Sequence, residues 1–309
     1  MNHSSFLIVY IKCEFQLAVG GFCLASFPAI SDNLTLCANV ETIASPLFPE
    51  LISSFQLGII RLCLSFVFML TTMYRISLRE HVVTISYLNH SKLKRIPINM
   101  NGIKSQIMFT SWCWNILTIS FFLNGMICIA DSESVFHHPM VLKTAIILFE
   151  VAGPTSMLVS CITKYVLWPR SLHGVNGSQK LRLPVSLIQH NLNIISTLLE
   201  VCVLGIIPVS LSDWAVGPLF GLVYILFTWS MTHKLTDCGS PQFVYFFFDL
   251  TLGKRWILTV MTGLLLLLLA FFFIFTIVDD FVIWIGDEKL IAHLLTSLTL
   301  SAFACRFRD

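Results

Sequence analysis

Residues 186–210, which read SLIQHNLNIISTLLEVCVLGIIPVS, decide how this chain is organised. The segment is apolar and long enough to cross a bilayer as one helix, at a rise of about 1.5 Å per residue. Polar side chains nevertheless recur in it at i, i+4, i+7, i+11 and i+14, namely Ser186, His190, Asn193, Thr197 and Glu200. This spacing places them on one face of an α-helix. Because polar groups that face lipid are costly, we expect this face to contact other helices or to line a site.

The composition of the whole chain is that of a membrane protein. Of its 309 residues, 56% are hydrophobic and 12% are charged, and the mean hydropathy is +0.82. Soluble domains carry about twice this fraction of charged residues. The apolar runs are continuous over about 20 residues, which predicts membrane-crossing helices rather than alternating strands. We therefore predict an all-α, polytopic transmembrane helical bundle in contact with the lipid bilayer, and the net charge of +2 indicates no nucleic-acid partner.

The hydropathy pattern divides the chain into a membrane domain, residues 51–280, and two flanking parts, residues 1–50 and 281–309. Each predicted span in the membrane domain is a run of about 20 apolar residues. The six spans lie at about 51–74, 107–130, 141–163, 186–210, 215–232 and 256–278.

The two flanking parts also contain apolar runs. Residues 5–30 are apolar but are interrupted by Lys12 and Glu14, so they form a signal peptide, a signal anchor or an additional helix. A luminal or extracellular stretch follows, with a glycosylation sequon at Asn33. The run at 290–304 is short, which favours a helix in the membrane interface over a span.

The charges of the loops orient the predicted bundle. Every second loop is rich in Lys and Arg, whereas the loops between them are poor in bases and carry acids. The positive-inside rule assigns the basic loops to the cytosol. These cytosolic loops are residues 75–106, 164–185 and 233–255.

The sequence gives no motif for a metal or a cofactor. Its ten cysteines form no CxxC pair and lie mostly in apolar segments, so we interpret them as small hydrophobic residues. The histidines form neither the intramembrane pairs of a haem-binding bundle nor an HExxH motif. A P-loop and a GxSxG motif are also lacking. We therefore predict neither a metal nor a cofactor.

One hydroxyl and one imidazole are predicted at the same membrane depth. Thr110 lies about 5 Å, and His190 about 6 Å, inside the same face of the membrane. A hydroxyl beside a base can act as a nucleophile. Hydroxyl groups in membrane helices also commonly bond to backbone carbonyls, which is the structural alternative. Ser111 competes with Thr110, because Ser111 shares a helix face with Asn115 and Thr118.

A second polar cluster is predicted deeper in the membrane. Arg61, Glu150 and Glu200 lie on three different spans, around the middle of the membrane or towards its outer face. Isolated charges there are expensive, so we expect them to pair. The cluster is either an ion-paired strut between helices or the polar wall of a ligand or proton pathway.

Four sequence patches occur in a characteristic order. The first is a span that opens with Thr and aromatic residues, at 109–115, and the second is a helix that ends in an aromatic residue and Pro, at 164–169. The third is a His followed by an Asn- and Thr-rich apolar helix with an acid, at 190–200, and the fourth is a patch of aromatic residues with a Tyr, at 242–246. Over roughly residues 57–280, the chain resembles the androgen-induced protein family, which includes the androgen-dependent TFPI-regulating protein.

The resemblance implies an intramembrane hydrolase that cleaves fatty acid esters of hydroxy fatty acids, with a Thr nucleophile and a His in the bilayer. Carried over by position, Thr110 is the nucleophile and His190 the base. The chain departs from the family at three places, one of which is the tail beyond Phe281, which has no recognisable counterpart. Asn115 follows Thr110 at a longer spacing than in the family, and Lys164 and Tyr165 stand where the family has an aromatic-Asp-Arg-Glu stretch.

Two functions from different classes follow from these patterns. The first is a multi-pass membrane hydrolase of lipid esters, in which acyl chains enter laterally and Asn115 or Asn193 binds the substrate by donating to the oxyanion. The second is a non-enzymatic transporter, receptor or scaffold that uses the deeper charged cluster. A dry pocket bounded by Thr110 and His190 favours the enzyme, and a cavity that reaches water through Glu150 favours transport.

Overall fold

The computed structural model describes Gly21 and residues 38–78, 82–85, 87–93, 97–172, 181–235, 241–286 and 289–307. Among these residues, six helices are long and apolar enough to cross a membrane. This confirms the predicted all-α polytopic bundle. The predicted N-terminal apolar run, Gly21 apart, and the sequon at Asn33 lie outside the described residues.

The connections between the helices differ in length, and the longest of them joins α2 to α3. A short helix, α1, precedes the first long one, and an antiparallel hairpin of strands β1 (Val82–Thr84) and β2 (Pro97–Asn99) lies in the first basic loop. The helices are α1 (Val40–Ala44), α2 (Ser54–Ser77), α3 (Phe109–Ile129), α4 (Pro139–Leu172), α5 (Pro184–Leu204), α6 (Val216–Met231), α7 (Lys254–Ile285) and α8 (Leu290–Ala304).

Consecutive long helices are antiparallel, so the bundle has two chemically different ends. We call the end at which α2 and α4 finish and α3 and α5 begin the basic end, because the predicted basic loops 75–106 and 164–185 adjoin it in sequence. The helices extend into these predicted loops, α2 to Ser77 and α4 to Leu172. At the opposite end, Pro46 forms an isolated β-bridge with Gly205, and the backbone N–H of Leu47 donates to the Leu204 carbonyl at 3.0 Å. The segment around α1 therefore caps the opposite end.

A close contact between two glycines joins α2 to α3. A Cβ atom built on Gly58 would lie 2.5 Å from Ile129 Cγ2 and 3.0 Å from the backbone oxygen of Gly125. Small residues allow membrane helices to approach closely in this way. The two helices begin to separate only towards the basic end, where larger residues such as Phe68 and Trp114 lie between them.

Three π-helical turns interrupt α4 and α5, at Thr163–Leu167, Ile188–Leu192 and Glu200–Leu204. A π turn inserts one extra residue and shifts the face that the following side chains present. The polar side chains of α5 therefore do not share one uniform face. His190 and Asn193 contact α4, whereas Glu200 contacts α2.

Helix α8 runs along the bundle from the opposite end to the basic end. Near its start, the His293 ring packs edge-on against Phe48 at 5.3 Å between centroids. Near its end, Lys164 Nζ donates to the carbonyl of Phe303 at 2.6 Å. At about 1.5 Å per residue, its 15 residues extend about 22 Å. The helix thus contacts the bundle near both of its ends, and its place in the membrane interface stays a prediction.

Candidate functional site

The His190 imidazole is held between α4 and α5 at the basic end. Its Nδ1 atom lies 3.0 Å from Oγ1 of Thr163, the residue at which the π turn of α4 begins. One turn earlier on α4, Ser160 Oγ donates to the His190 carbonyl at 2.6 Å and to Asn193 Oδ1 at 3.1 Å. The hydroxyl that contacts the histidine is therefore Thr163, a residue that spacing did not single out. The contact uses Nδ1 and leaves Nε2 as the reactive nitrogen.

Thr110 lies in the first turn of α3 and is half-buried. No hydrogen bond joins it to His190 among the described residues. It shares a helix face with Trp114, whose ring packs against Phe68 of α2 at 4.8 Å between centroids. Both rings belong to a buried cluster against which Leu192, the last residue of the histidine turn, also packs.

Ser111 occupies a different position from Thr110. Its side chain is fully buried, as the periodicity predicted, and its Oγ donates to the Ser105 carbonyl at 3.1 Å. That carbonyl belongs to the 3-10 turn Gly102–Ile107, which immediately precedes α3. The Ser111 hydroxyl is therefore bound to the backbone of its own segment.

Arg75 and Tyr245 connect the start of α3 to the histidine. The Tyr245 hydroxyl accepts a hydrogen bond of 3.1 Å from the backbone N–H of Phe109, the residue before Thr110. Burial raises the pKa of Tyr245 to about 12, so this phenol is neutral at physiological pH. The Arg75 guanidinium is close enough to Tyr245 and to His190 to interact electrostatically with both.

The two predicted substrate-binding amides already donate hydrogen bonds within the bundle. Asn115 Nδ2 donates to Gln106 Oε1 at 3.1 Å, and Asn115 Oδ1 accepts from a Thr72 hydroxyl at 3.3 Å. Asn193 Nδ2 makes a long contact of 3.4 Å with the Ser156 carbonyl. Asn115 thus lies between α2 and α3, and Asn193 lies between α4 and α5. Their role in binding substrate stays a prediction.

The charged cluster divides into two parts. Arg61 donates to Glu200 through Nε at 3.1 Å and also through Nη2, with both side chains almost completely buried. Arg61 Nη1 donates to the carbonyl of Ile43 in α1 at 2.7 Å and contacts Cys128 Sγ at 3.1 Å. The predicted pairing is confirmed for Arg61 and Glu200. The geometry is that of the predicted strut, which joins α1, α2, α3 and α5.

Glu150 does not join that ion pair. It lies at the opposite end, where its Oε1 accepts from the backbone N–H of Ser210 at 3.1 Å and its carboxyl group contacts that of Asp213. In the same region, Asp279 Oδ2 accepts from the backbone N–H of Val209 at 2.9 Å. These carboxyl groups therefore satisfy the non-helical backbone that connects α5 to α6.

The residues that follow α8 are bound to the turn that contains the histidine. Asn191 exchanges two hydrogen bonds with the backbone of Arg306, each of 2.9 Å, and its own carbonyl accepts from Cys305 Sγ at 3.7 Å. The Arg306 guanidinium lies 5.2 Å from the centre of the Trp168 ring. We call the Asn191–Arg306 contact the C-terminal clamp. It supports the histidine turn from the side that faces away from α3.

Loss of the clamp is expected to expose Cys305. The test uses a variant in which every cysteine except Cys305 has been replaced. In this background, Asn191→Ala should increase the rate of maleimide labelling at least tenfold, because the buried thiol becomes accessible. Burial raises the pKa of Cys305 to about 11, so labelling of the clamped protein is slow at neutral pH. The control is Asn124→Ala, since Asn124 bonds only within α3, to Ser120. Equal labelling rates in both variants would contradict the clamp.

Comparison of the chain with protein-family models, with curated proteins and with solved structures finds no match. The resemblance to the androgen-induced protein family therefore rests on the four sequence patches alone.

Proposed function

We propose that this multi-pass membrane protein hydrolyses lipid esters, of the class of fatty acid esters of hydroxy fatty acids, with Thr110 as nucleophile and His190 as general base. The observation that carries the proposal is the contact of 3.0 Å between His190 Nδ1 and Thr163 Oγ1. A histidine oriented through one ring nitrogen is prepared to act as a base through the other. Thr110 shares its face of α3 with Trp114, and Trp114 belongs to the cluster against which Leu192 of the histidine turn packs.

The proposed reaction assigns one task to each side chain. Nδ1–H of His190 donates to the Thr163 hydroxyl, which keeps Nε2 unprotonated. Nε2 takes the proton of Thr110 as its oxygen attacks the ester carbonyl, and then gives that proton to the departing hydroxy fatty acid. A water molecule, activated by the same nitrogen, cleaves the acyl-threonine and restores both residues.

The surroundings of Thr110 suit a substrate that arrives from lipid. At the basic end, Met73 and Tyr74 of α2 are more than half exposed, as is expected of side chains that face acyl chains. Ile188 of α5 is also exposed beside the histidine turn. We propose lateral entry between α2 and α5, with the basic end facing the cytosol. Two surface grooves formed by described residues lie elsewhere, one between α7 and α8 and one at the start of α2.

The proposal is tested with a fluorophosphonate probe and a hydrolysis assay on the purified protein. Thr110→Ala and His190→Ala are expected to abolish labelling and turnover, and Thr163→Val to reduce turnover about tenfold or more by releasing the imidazole. Ser111→Ala should retain activity. Thr144→Ala is the matched control, because Thr144 is exposed and bonds only to its own helix. Wild-type turnover in the Thr110→Ala variant would refute the assignment of the nucleophile.

A non-enzymatic transport function is the second candidate, and one observation favours it. The non-helical segment 205–210, which the hydropathy pattern included in the fourth predicted span, lies between α5 and α6 and is held by Glu150 and Asp279. Irregular backbone at membrane depth is characteristic of transporter sites. Proton or cation flux into proteoliposomes that is lost in Glu150→Gln, together with absence of fluorophosphonate labelling, would favour this candidate over the hydrolase.

A further inference from the structure

Arg75 is a partly buried cation near the end of α2, and no acid among the described residues forms an ion pair with it. Its Nη1 donates to Gln189 Oε1. The ion pair that the described residues do form, Arg61–Glu200, is distant and does not include Arg75. The groups that face Arg75 are a neutral phenol, Tyr245, and the imidazole of His190. An uncompensated guanidinium inside a membrane protein is expensive, which points to an anionic partner.

Two buried donors of the Arg75–Gln189 pair lack acceptors within the part of the chain that the structure describes. They are Arg75 Nε and Gln189 Nε2. Gln189 is only 1% exposed, and its amide orientation is fixed because Oε1 faces the guanidinium. Arg75 Nε belongs to the guanidinium, and Gln189 Nε2 to the amide, that this hydrogen bond joins, so the two unpartnered N–H groups both lie close to it. Each unsatisfied buried donor costs about 1–3 kcal/mol, so the site is built to receive oxygen atoms.

We propose that Arg75 and Gln189 form a binding site for the oxyanion headgroup, carboxylate or phosphate, of an amphiphile whose chain lies in the membrane. The planar guanidinium matches the two oxygens of such a group, and the amide of Gln189 adds a further donor. The exposed apolar side chains of Met73, Tyr74 and Ile188 lie next to these residues in sequence, where an acyl chain would extend. This site deepens the proposed function, on which it rests for its role in binding substrate.

The test is equilibrium binding of oleate to the detergent-solubilised protein, with methyl oleate as the uncharged probe of the same chain. Arg75→Gln should weaken oleate binding at least tenfold and leave methyl oleate binding unchanged. Gln189→Glu is the sharper variant, because it has nearly the same shape but supplies an internal carboxylate to Arg75. It should also weaken oleate binding at least tenfold while keeping the thermal stability of the wild type. Arg255→Gln, which removes an exposed charge at the basic end, is the control.

The outcomes separate this site from the hydrolase proposal. Oleate binding that is unchanged in Gln189→Glu, or a parallel loss of methyl oleate binding, would overturn the oxyanion site. Competition of inorganic phosphate with oleate would support the site and show that a soluble oxyanion also occupies it. Thr110→Ala should retain oleate binding. If Thr110→Ala also retains wild-type turnover, the hydrolase assignment fails while the oxyanion site stands.

Discussion

Replacing Arg61 by methionine is expected to lower the free energy of unfolding by about 3–5 kcal/mol, because the change leaves a carboxylate buried without its partner. Arg61 is 0% exposed and Glu200 is 2% exposed, so water cannot replace the lost contact. The substitution also removes the donor to the Ile43 carbonyl, and with it the attachment of α1 to the bundle. Few single changes in the chain combine so many lost contacts.

The double variant Arg61→Met/Glu200→Met distinguishes the contribution of charge pairing from that of the surrounding packing. With both charges removed, the loss of stability should be much smaller than in the single variant, because no charge remains buried. Unfolding is followed by tryptophan fluorescence during heating in detergent, since the chain contains seven Trp residues. A double variant that is as unstable as Arg61→Met would show that packing, and not charge pairing, determines the contribution of Arg61.

Replacing Gly58 by leucine is expected to destabilise the protein by about 3 kcal/mol or more, because the new side chain overpacks the contact between α2 and α3. The Cβ atom alone would lie 2.8 Å from Cys128 Cβ and 3.0 Å from the backbone oxygen of Gly125. A backbone atom cannot rotate away as a flexible side chain can, so the two helices would have to separate.

Gly263→Leu is the matched control for Gly58→Leu. Gly263 lies in α7 with no atom within 4 Å of its Cβ position, so the same change meets open space there. Leucine is a better helix former than glycine, and the control should be neutral or more stable by about 0.5–1 kcal/mol. Thermal unfolding in detergent compares the two variants. Equal stability of both would contradict the close approach of α2 and α3.

The features that repeat along the sequence were predictable. The apolar runs indicated the six helices, since each is long enough for a bilayer and too apolar for another environment. The pairing of Arg61 with Glu200 could also be predicted from the sequence, because isolated charges within spans require partners. The partner of Glu150 could not be predicted from the sequence, since Asp213 lies in a connection whose position depends on the tertiary fold.

The contacts within the candidate site could not be predicted from the periodicity of the sequence. Reasoning from a uniform 3.6-residue period assumes regular helices, whereas π turns shift the register of α4 and α5 at Thr163, His190 and Glu200. Spacing compared Thr110 with Ser111 but did not find Thr163, which contacts the imidazole. Arg75 was counted as a loop charge, although its guanidinium turns back to reach Gln189. A polar residue one turn from a span end is the signal that could have indicated it.

The C-terminal clamp sets the order in which the candidate site is completed during biosynthesis. Asn191 and the neighbouring histidine are synthesised more than a hundred residues before Arg306, and they enter the membrane with α5. Domains assemble progressively from the N-terminal side as the chain emerges, so the turn initially has neither hydrogen-bonded partner from the α8 segment. The side chains of Lys164 and Tyr165 likewise cannot donate to the carbonyl of Phe303 until that residue has been synthesised. A chain released before α8 would carry all six long helices and still present an unsupported histidine turn to the insertion and quality-control machinery.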